Sequence, residues 1–408
     1  MKTFMKIAWR NITRNRRRSF ITIGAVGFGL GALIFILAFV YGAHGQMVEN
    51  YTSLMTGHIQ IHRQGFHQQK KLELNITQPD ALLNRLKEIQ TIQAAALRIK
   101  AVGLISSAES SAGVMVLGVF PEEEKNVNTI HKRLRTGTFL DKDNPDDIIL
   151  GASLAKNLNV AVGDKVVIMS QALDGSIAAG AYHIKGIFDT GTDEVDQGLA
   201  LINHAAAQEL FVMPEATSEI VLRLHPSLDA QIVAGQIQKN LSQPDLEVLS
   251  WQKIAPSFQQ WIEFDNAFIW IIVGVVMIVV AIGILNTVLM GVLERTREFG
   301  ILLALGTKPK EIVAIVGWES FFLGTIGSVM GAALGVGLTG FFGKAGINLT
   351  IFTKALNSFY IDAVVYPQLN VPDMTISLIL VLTTSLVVSI YPAWHAAHLK
   401  PMEAIRSL

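Results

Sequence analysis

The residues of this 408-residue chain that could do chemistry are scattered, and none of the common catalytic spacings brings them together. A phosphate cradle of the form G-x-x-x-x-G-K-[ST] does not occur. The nearest approach, Gly343-Lys344-Ala345, lacks both the hydroxyl and the upstream glycine. Neither H-E-x-x-H nor G-x-S-x-G is present. With 0 cysteines the chain has no disulfide, thiolate metal site or cysteine nucleophile. His58 and His62 would share one face of a strand, with His67 nearby, but strand histidines of this kind read first as hydrogen-bonded or solvated side chains. His395 and His398 read as interfacial polar residues. No enzyme active site is visible, the chain is expected to bind no cofactor of its own, and ATP hydrolysis would have to come from another chain.

The charge pattern is more informative. Leu293 to Gly306 reads Leu-Glu-Arg-Thr-Arg-Glu-Phe-Gly-Ile-Leu-Leu-Ala-Leu-Gly, a charged half followed by an apolar half, wedged between two long runs almost free of charge. Such a segment is too short to fold alone, so its function would lie in touching something else. Within the flanking runs, Asn286 and Glu319 stand out, because polar and ionisable groups inside a membrane span are costly and are read as helix-bonding or functional residues. Gly324, Gly327, Gly331 and Gly335 lie close to one helical face and predict close backbone packing rather than a pore. At the start of the chain, Trp9, Arg10, Asn11 and Arg14 belong to a basic amphipathic stretch suited to a membrane surface or a protein partner.

The elements that must position these residues follow from composition. The chain is 50% hydrophobic and 16% charged, against roughly 25% charged in soluble domains. Its net charge of +0 gives no electrostatic reason for a nucleic-acid partner. A crossing needs about 20 apolar residues, and four such runs are predicted at 19–42, 266–293, 312–343 and 374–394. The first run exceeds a signal-peptide core and is read as an anchor. Residues 1–18 carry a run of Lys and Arg without an acid, which places the N-terminus in the cytoplasm and, after four crossings, the tail at 395–408 there too. The segment 294–311 then lies on the cytoplasmic side and 344–373 forms an outer loop.

Between the first two spans, 43–265 has the composition of a globular domain. Alternating strand runs separated by amphipathic helical runs predict an α+β class. Strand-helix-strand units at either end flank a β-rich middle, so the expectation is one split lobe, 43–106 with 218–265, holding an inserted lobe at 107–217. The stretches next to the membrane read as helices leaving the bilayer side by side as a stalk.

These residues resemble the MacB/FtsX/LolC type of ABC transporter permease, the mechanotransmission class. Glu294-Arg295-Thr296-Arg297-Glu298-Phe299-Gly300 followed by Ala304-Leu305-Gly306 is similar to the family's E-R-x-x-E-x-G-x-x-x-A-x-G coupling segment. Pro392-Ala393 through Pro401-Met402-Glu403-Ala404-Ile405-Arg406 is similar to its C-terminal signature, and Ala8-Trp9-Arg10-Asn11 with the following arginines to its N-terminal helix. The resemblance implies Porter-like and Sabre-like outer lobes and a permease pair, of two copies or two related chains, bound to a cytoplasmic ABC ATPase dimer that holds ATP and Mg. It implies further that Glu294, Arg295, Arg297, Glu298, Gly300, Ala304 and Gly306 meet that ATPase. Substrate would be extracted or expelled at the outer face of a bacterial inner membrane. Gly57-His58-Ile59-Gln60-Ile61-His62 resembles LolC/LolE-type lipoprotein-releasing members. Those of LolC type capture a periplasmic carrier with a proline-containing hook, whereas 170–181 here has no proline. The alternative within the family is FtsX-like signalling, in which the outer domain activates a hydrolase.

Overall fold

The computed structural model describes residues 2–226, 228–241 and 243–400. Two compact units emerge: Met1–Gly45 with Ile262–Leu349 and Val364–Leu408, and Gln46–Trp261 with Thr350–Ala363.

The first unit is helical. Four helices are long and apolar enough to cross a membrane: Arg16–Tyr51, extended by a π-helical turn Thr52–Thr56, then Pro256–Leu293, Pro309–Ala345 and Val371–Ala397. A helix of 38 residues is about 57 Å long at 1.5 Å per residue, nearly twice a hydrocarbon core of about 30 Å. The first of these helices begins at Arg16, before the expected 19, because the basic cluster is itself helical. It follows a separate helix, Lys2–Arg14, and the break at Asn15 is held by a hydrogen bond from Ser19 Oγ to the Ile12 carbonyl at 2.9 Å.

The Lys2–Arg14 helix packs on more than a lipid surface. Ala8, Asn11 and Ile12 are buried while Arg10 and Arg14 stay exposed, and the half-exposed Trp9 ring meets Phe322 edge-on at 5.6 Å. The glycine stripe of the third membrane helix lies against its neighbours. A methyl group at Gly331 would come within 2.6 Å of the Gly27 carbonyl oxygen, one at Gly327 within 2.7 Å of Val26, and one at Gly335 within 2.8 Å of Ile34, all on the first membrane helix. At Gly324 it would come within 2.6 Å of Ser385 on the fourth. Asn286 departs from the expectation of a bond to a neighbouring helix. It is exposed on the outer face of the second membrane helix, among Ile278, Val279, Ile282 and Met290, because the buried stripe of that helix is Val280, Ile284, Val288 and Val292.

The second unit is built on one ten-stranded sheet. Its order is Leu246–Ser250, Ile59–Arg63, Glu219–Leu224, Ile92–Ser106, Ser111–Val119, Leu199–Asn203, Asp147–Gly151, Ile177–Phe188 and Leu134–Gly137; Lys165–Gln171 pairs with both Ile92–Ser106 and Ile177–Phe188. The two expected lobes therefore share a sheet. The reason is the strand Ile92–Ser106, whose 15 residues exceed the usual 5–6. Its first half pairs with Glu219–Leu224 and its last residues with Lys165–Gln171, while Ser111–Val119 runs beside most of its length. Ile99, Val116, Ile148, Leu150, Ile168 and Phe211 belong to the main core.

This unit buries a second, closed set of charges. Arg98, 1% exposed, places Nη2 at 2.6 Å from Glu124 Oε1 and Nη1 at 3.0 Å from the Met55 carbonyl in the π-helical turn. Glu219 sits 3.7 Å from Arg98, Lys100 and His62. Burial opposes the charges of Arg98 and Glu219, but their partners outweigh it and hold both ionised. His62 has gone the other way: burial, only partly offset by Glu219, pushes its imidazole down to about 4.

The outer loop expected at 344–373 contributes to both units. Ile347–Asn348 and Val364–Val365 pair in the first, whereas Thr350–Ala363 is part of the second. There the Tyr360 carbonyl accepts from Asn50 Nδ2 at 2.9 Å, and its hydroxyl donates to Glu194 at 3.1 Å. Tyr51 stacks on Phe258 with centroids 4.3 Å apart, so the two expected stalk segments do touch, and Trp261 stacks on Phe359 at 4.8 Å.

Candidate functional site

The segment 294–311 folds as a helix stop, a single short helix and a helix restart. The short helix is Thr296–Ala304, with Arg295 at its N-cap. Gly306 ends it at φ +93, where Gly306 N–H donates to Leu303 and Thr307 N–H to Leu302, the paired bonds of a Schellman stop. The next helix opens with Pro309 in its first turn, and Glu311 accepts the Lys308 backbone N–H at 2.9 Å. Local sequence thus fixes where the short helix begins and ends, but not where it points.

A chain of ion pairs links it to the helices around it. Only Phe299 and Gly300 of the short helix are buried. Arg295 turns inward, its guanidinium 5.2 Å from the Phe299 ring centroid, and Nη1 reaches Glu319 Oε2 at 3.3 Å. Glu319, buried in the third membrane helix, gives Oε1 to Arg18 Nη2 at 2.6 Å. Arg295 Nε donates to Glu298 Oε2 at 2.8 Å, and Arg14 Nη2 to Glu298 Oε1 at 2.6 Å. Burial works against the Glu298 charge, yet these two arginines hold its carboxyl below the usual range. Arg18 Nη1 also lies 3.7 Å from Glu294. The small side of the arrangement is Gly291, where a methyl group would sit 2.0 Å from Arg18 Nη1.

Of the residues singled out by the sequence, Glu294, Arg297, Glu298, Ala304 and Gly306 are exposed, whereas Arg295 and Gly300 face inward. Residues 401–406 of the C-terminal motif lie outside the described residues. Arg18 and Gly291 were not picked out individually from the sequence. Arg18 is hidden in a run of four basic residues among five, Arg14 to Arg18, and Gly291 becomes legible only beside it. Of the three histidines His58, His62 and His67, the last two stack with ring centroids 6.1 Å apart, while His58 Nδ1 accepts from Leu224 N–H and His62 bonds Gln60. Among the described residues no group of three or more His, Asp or Glu is arranged to hold a metal ion.

The same chain matches two family models. The MacB-like periplasmic core domain covers residues 19–240 and the FtsX-like permease C-terminal domain covers residues 270–401. The chain belongs to the MacB/FtsX/LolC type of ABC transporter permease. The permease is 25% identical over 422 residues to the lipoprotein-releasing system transmembrane protein LolC of Xylella fastidiosa, with 98% of each chain covered. It is 24% identical to the macrolide export ATP-binding/permease protein MacB of Nitrobacter winogradskyi, over 98% of this chain and 59% of that one. Among solved structures, the periplasmic region of MacB from Actinobacillus actinomycetemcomitans aligns with 53% of this chain and 97% of its own, at 13% identity and a TM-score of 0.37.

Proposed function

We propose that the permease is a non-catalytic subunit which docks a separate cytoplasmic ABC ATPase on its short helix and uses the ATPase cycle to extract or expel a hydrophobic substrate at the outer face of a bacterial inner membrane. Its LolC relatives favour a lipoprotein or similar lipid-bearing cargo. Both termini are cytoplasmic in this reading. ATP and Mg bind the partner, and a second permease, identical or related, completes the assembly.

The observation that carries the reading is the outward face of the short helix and its flanks. Arg297 is exposed and has no ion-pair partner among the described residues; Glu294 and Glu298 stand exposed beside it; Ile301 is 44% and Leu305 79% exposed. Mixed charge around an apolar patch on a short rigid element suits a protein partner. Asn286 supports a permease pair, because an amide facing hydrocarbon gains a hydrogen bond from a neighbouring helix. The first and second membrane helices, Arg16–Tyr51 and Pro256–Leu293, each supply residues to both units, which gives a covalent route from the cytoplasmic end to the outer domain.

Arg297→Glu tests the docking. We expect the full-length variant to insert and accumulate normally while the co-purified ATPase falls at least fivefold, with the mass of the complex reporting the number of permeases. Undiminished ATPase recovery would refute the reading.

A further inference from the structure

We propose that Glu319 is a positioning residue that sets the direction of the short helix, so that a push on that helix is delivered to the first and third membrane helices through one carboxylate. The proposal rests on the docking reading above. The geometry is a five-membered chain, Arg18–Glu319–Arg295–Glu298–Arg14, in which each carboxylate is shared between two arginines from different segments. It joins the first membrane helix, the third membrane helix, the N-cap and first turn of the short helix, and the Lys2–Arg14 helix. Both Glu319 and Arg295 have side chains 9% exposed.

Packing alone does not account for this arrangement. The first and third membrane helices are already in close contact along Gly327, Gly331 and Gly335, where backbone meets side chain or backbone. A buried ion pair adds little to stability beyond what apolar residues of similar size supply, and a carboxylate in a span is costly. The short helix, in contrast, is anchored by Phe299 and Gly300, with Leu302 and Leu303 only partly buried beside them. Phe299 is the one buried side chain of this helix, and apolar contacts of this kind leave it freedom to turn about that ring. The bond from its N-cap arginine to Glu319 removes that freedom, and Gly291 keeps open the space that Arg18 needs to complete the link.

The chain has 0 cysteines, so the full-length protein carrying Thr307→Cys and Val329→Cys can be spin-labelled to read the distance from the end of the short helix to the third membrane helix. Three backgrounds are compared: wild type, an apolar triple (Arg18→Met, Glu319→Leu, Arg295→Met), and a full charge swap (Arg14→Glu, Arg18→Glu, Glu294→Arg, Arg295→Glu, Glu298→Arg, Glu319→Arg) that reverses every pair. The apolar triple is expected to insert and keep its melting temperature, but to give a distance distribution at least twice as wide, with the ATP-dependent shift in the ATPase-bound complex reduced at least threefold. The full swap, read without ATPase, is expected to narrow the distribution again. If either variant fails to accumulate, Glu319→Gln gives the same reading with smaller broadening. A wild-type distribution in the apolar triple, or in Glu319→Gln, overturns the proposal. So does broadening that the full swap leaves uncorrected. The distribution is read without ATPase as well, so a failure of Arg297→Glu to release the ATPase would sink the docking reading and leave this result standing on its own.

Discussion

Two charge networks, one around the short helix of the helical unit and one inside the sheet-rich unit, use the same chemistry to different ends. Around Arg98, the central members are closed in: Arg98 and Glu219 are 1% exposed and Glu124 0%, only Lys100 at the edge reaches 18%, and the arginine spends its fork on Glu124 and on the Met55 carbonyl. Around Glu319, the inner members are buried, but the chain runs outward to Glu298 and Arg14, whose side chains are 45% and 56% exposed. The closed network fixes one arrangement of strands and the turn Thr52–Thr56. The open one is anchored at one end and leaves charge exposed at the other, as the proposed docking element requires.

The sharpest way to break the comparison is to remove the centre of the closed network. Arg98→Met leaves Glu124 buried without its arginine and takes one of the counter-charges of Glu219, which keeps Lys100, and removing one partner of such a pair costs about 3–5 kcal/mol. We expect a correspondingly large fall in the denaturant midpoint of the outer domain, followed by tryptophan fluorescence in the full-length chain in nanodiscs. A loss below 1 kcal/mol would show that the network is a bystander to packing.

Acid should act on the same network by another route. The His62 imidazole is held at about 4, below the usual 6.5, so the unfolded chain takes up a proton between these values that the folded domain refuses. Stability is then full above pH 6.5 and is lost as pH falls towards 4, by about 3 kcal/mol from this one group. His204, also held at about 4 by burial, adds to the slope in the same direction. A stability profile measured from pH 7.5 to 4.5 checks this, and His62→Gln should flatten part of it. A profile that is flat in wild type would contradict the buried neutral imidazole.

The two networks were unequally legible in the sequence. The spans, the glycine stripe and the short charged segment were readable because each rests on a local pattern: an uncharged run, a spacing of about four, a block of charge between two uncharged runs. Most strands were readable as alternating or apolar β-rich runs, whereas Asp147–Gly151, three apolar residues between an acid and a glycine, and the short, polar Leu134–Gly137 carry little such pattern. The single sheet was hidden because it depends on how far the strand Ile92–Ser106 continues. Glu319 was visible as an anomaly in a span, yet its partners are 301 and 24 residues away, and no spacing announces such pairs. Arg98, a lone arginine between Leu97 and Ile99 in an apolar run, was the overlooked signal of the closed network.

The smallest expected effect is the most discriminating, because it places one substitution in both settings. Glu294→Gln removes a charge at the rim of the open network, from a side chain 48% exposed that lies 3.7 Å from Arg18. Surface pairs of this kind contribute about 0–1 kcal/mol and are screened by salt, so the variant should unfold within about 0.5 kcal/mol of wild type, with the difference gone at 1 M salt. Glu124→Gln makes the same change in the closed network, where Arg98 would be left without a full counter-charge, and should cost several times more at any salt concentration. Denaturant titrations of both variants at low and high salt give the ratio directly. If the two changes cost the same, the networks do not differ in kind, and the outward charges of the short helix lose their claim to be held in reserve for a partner.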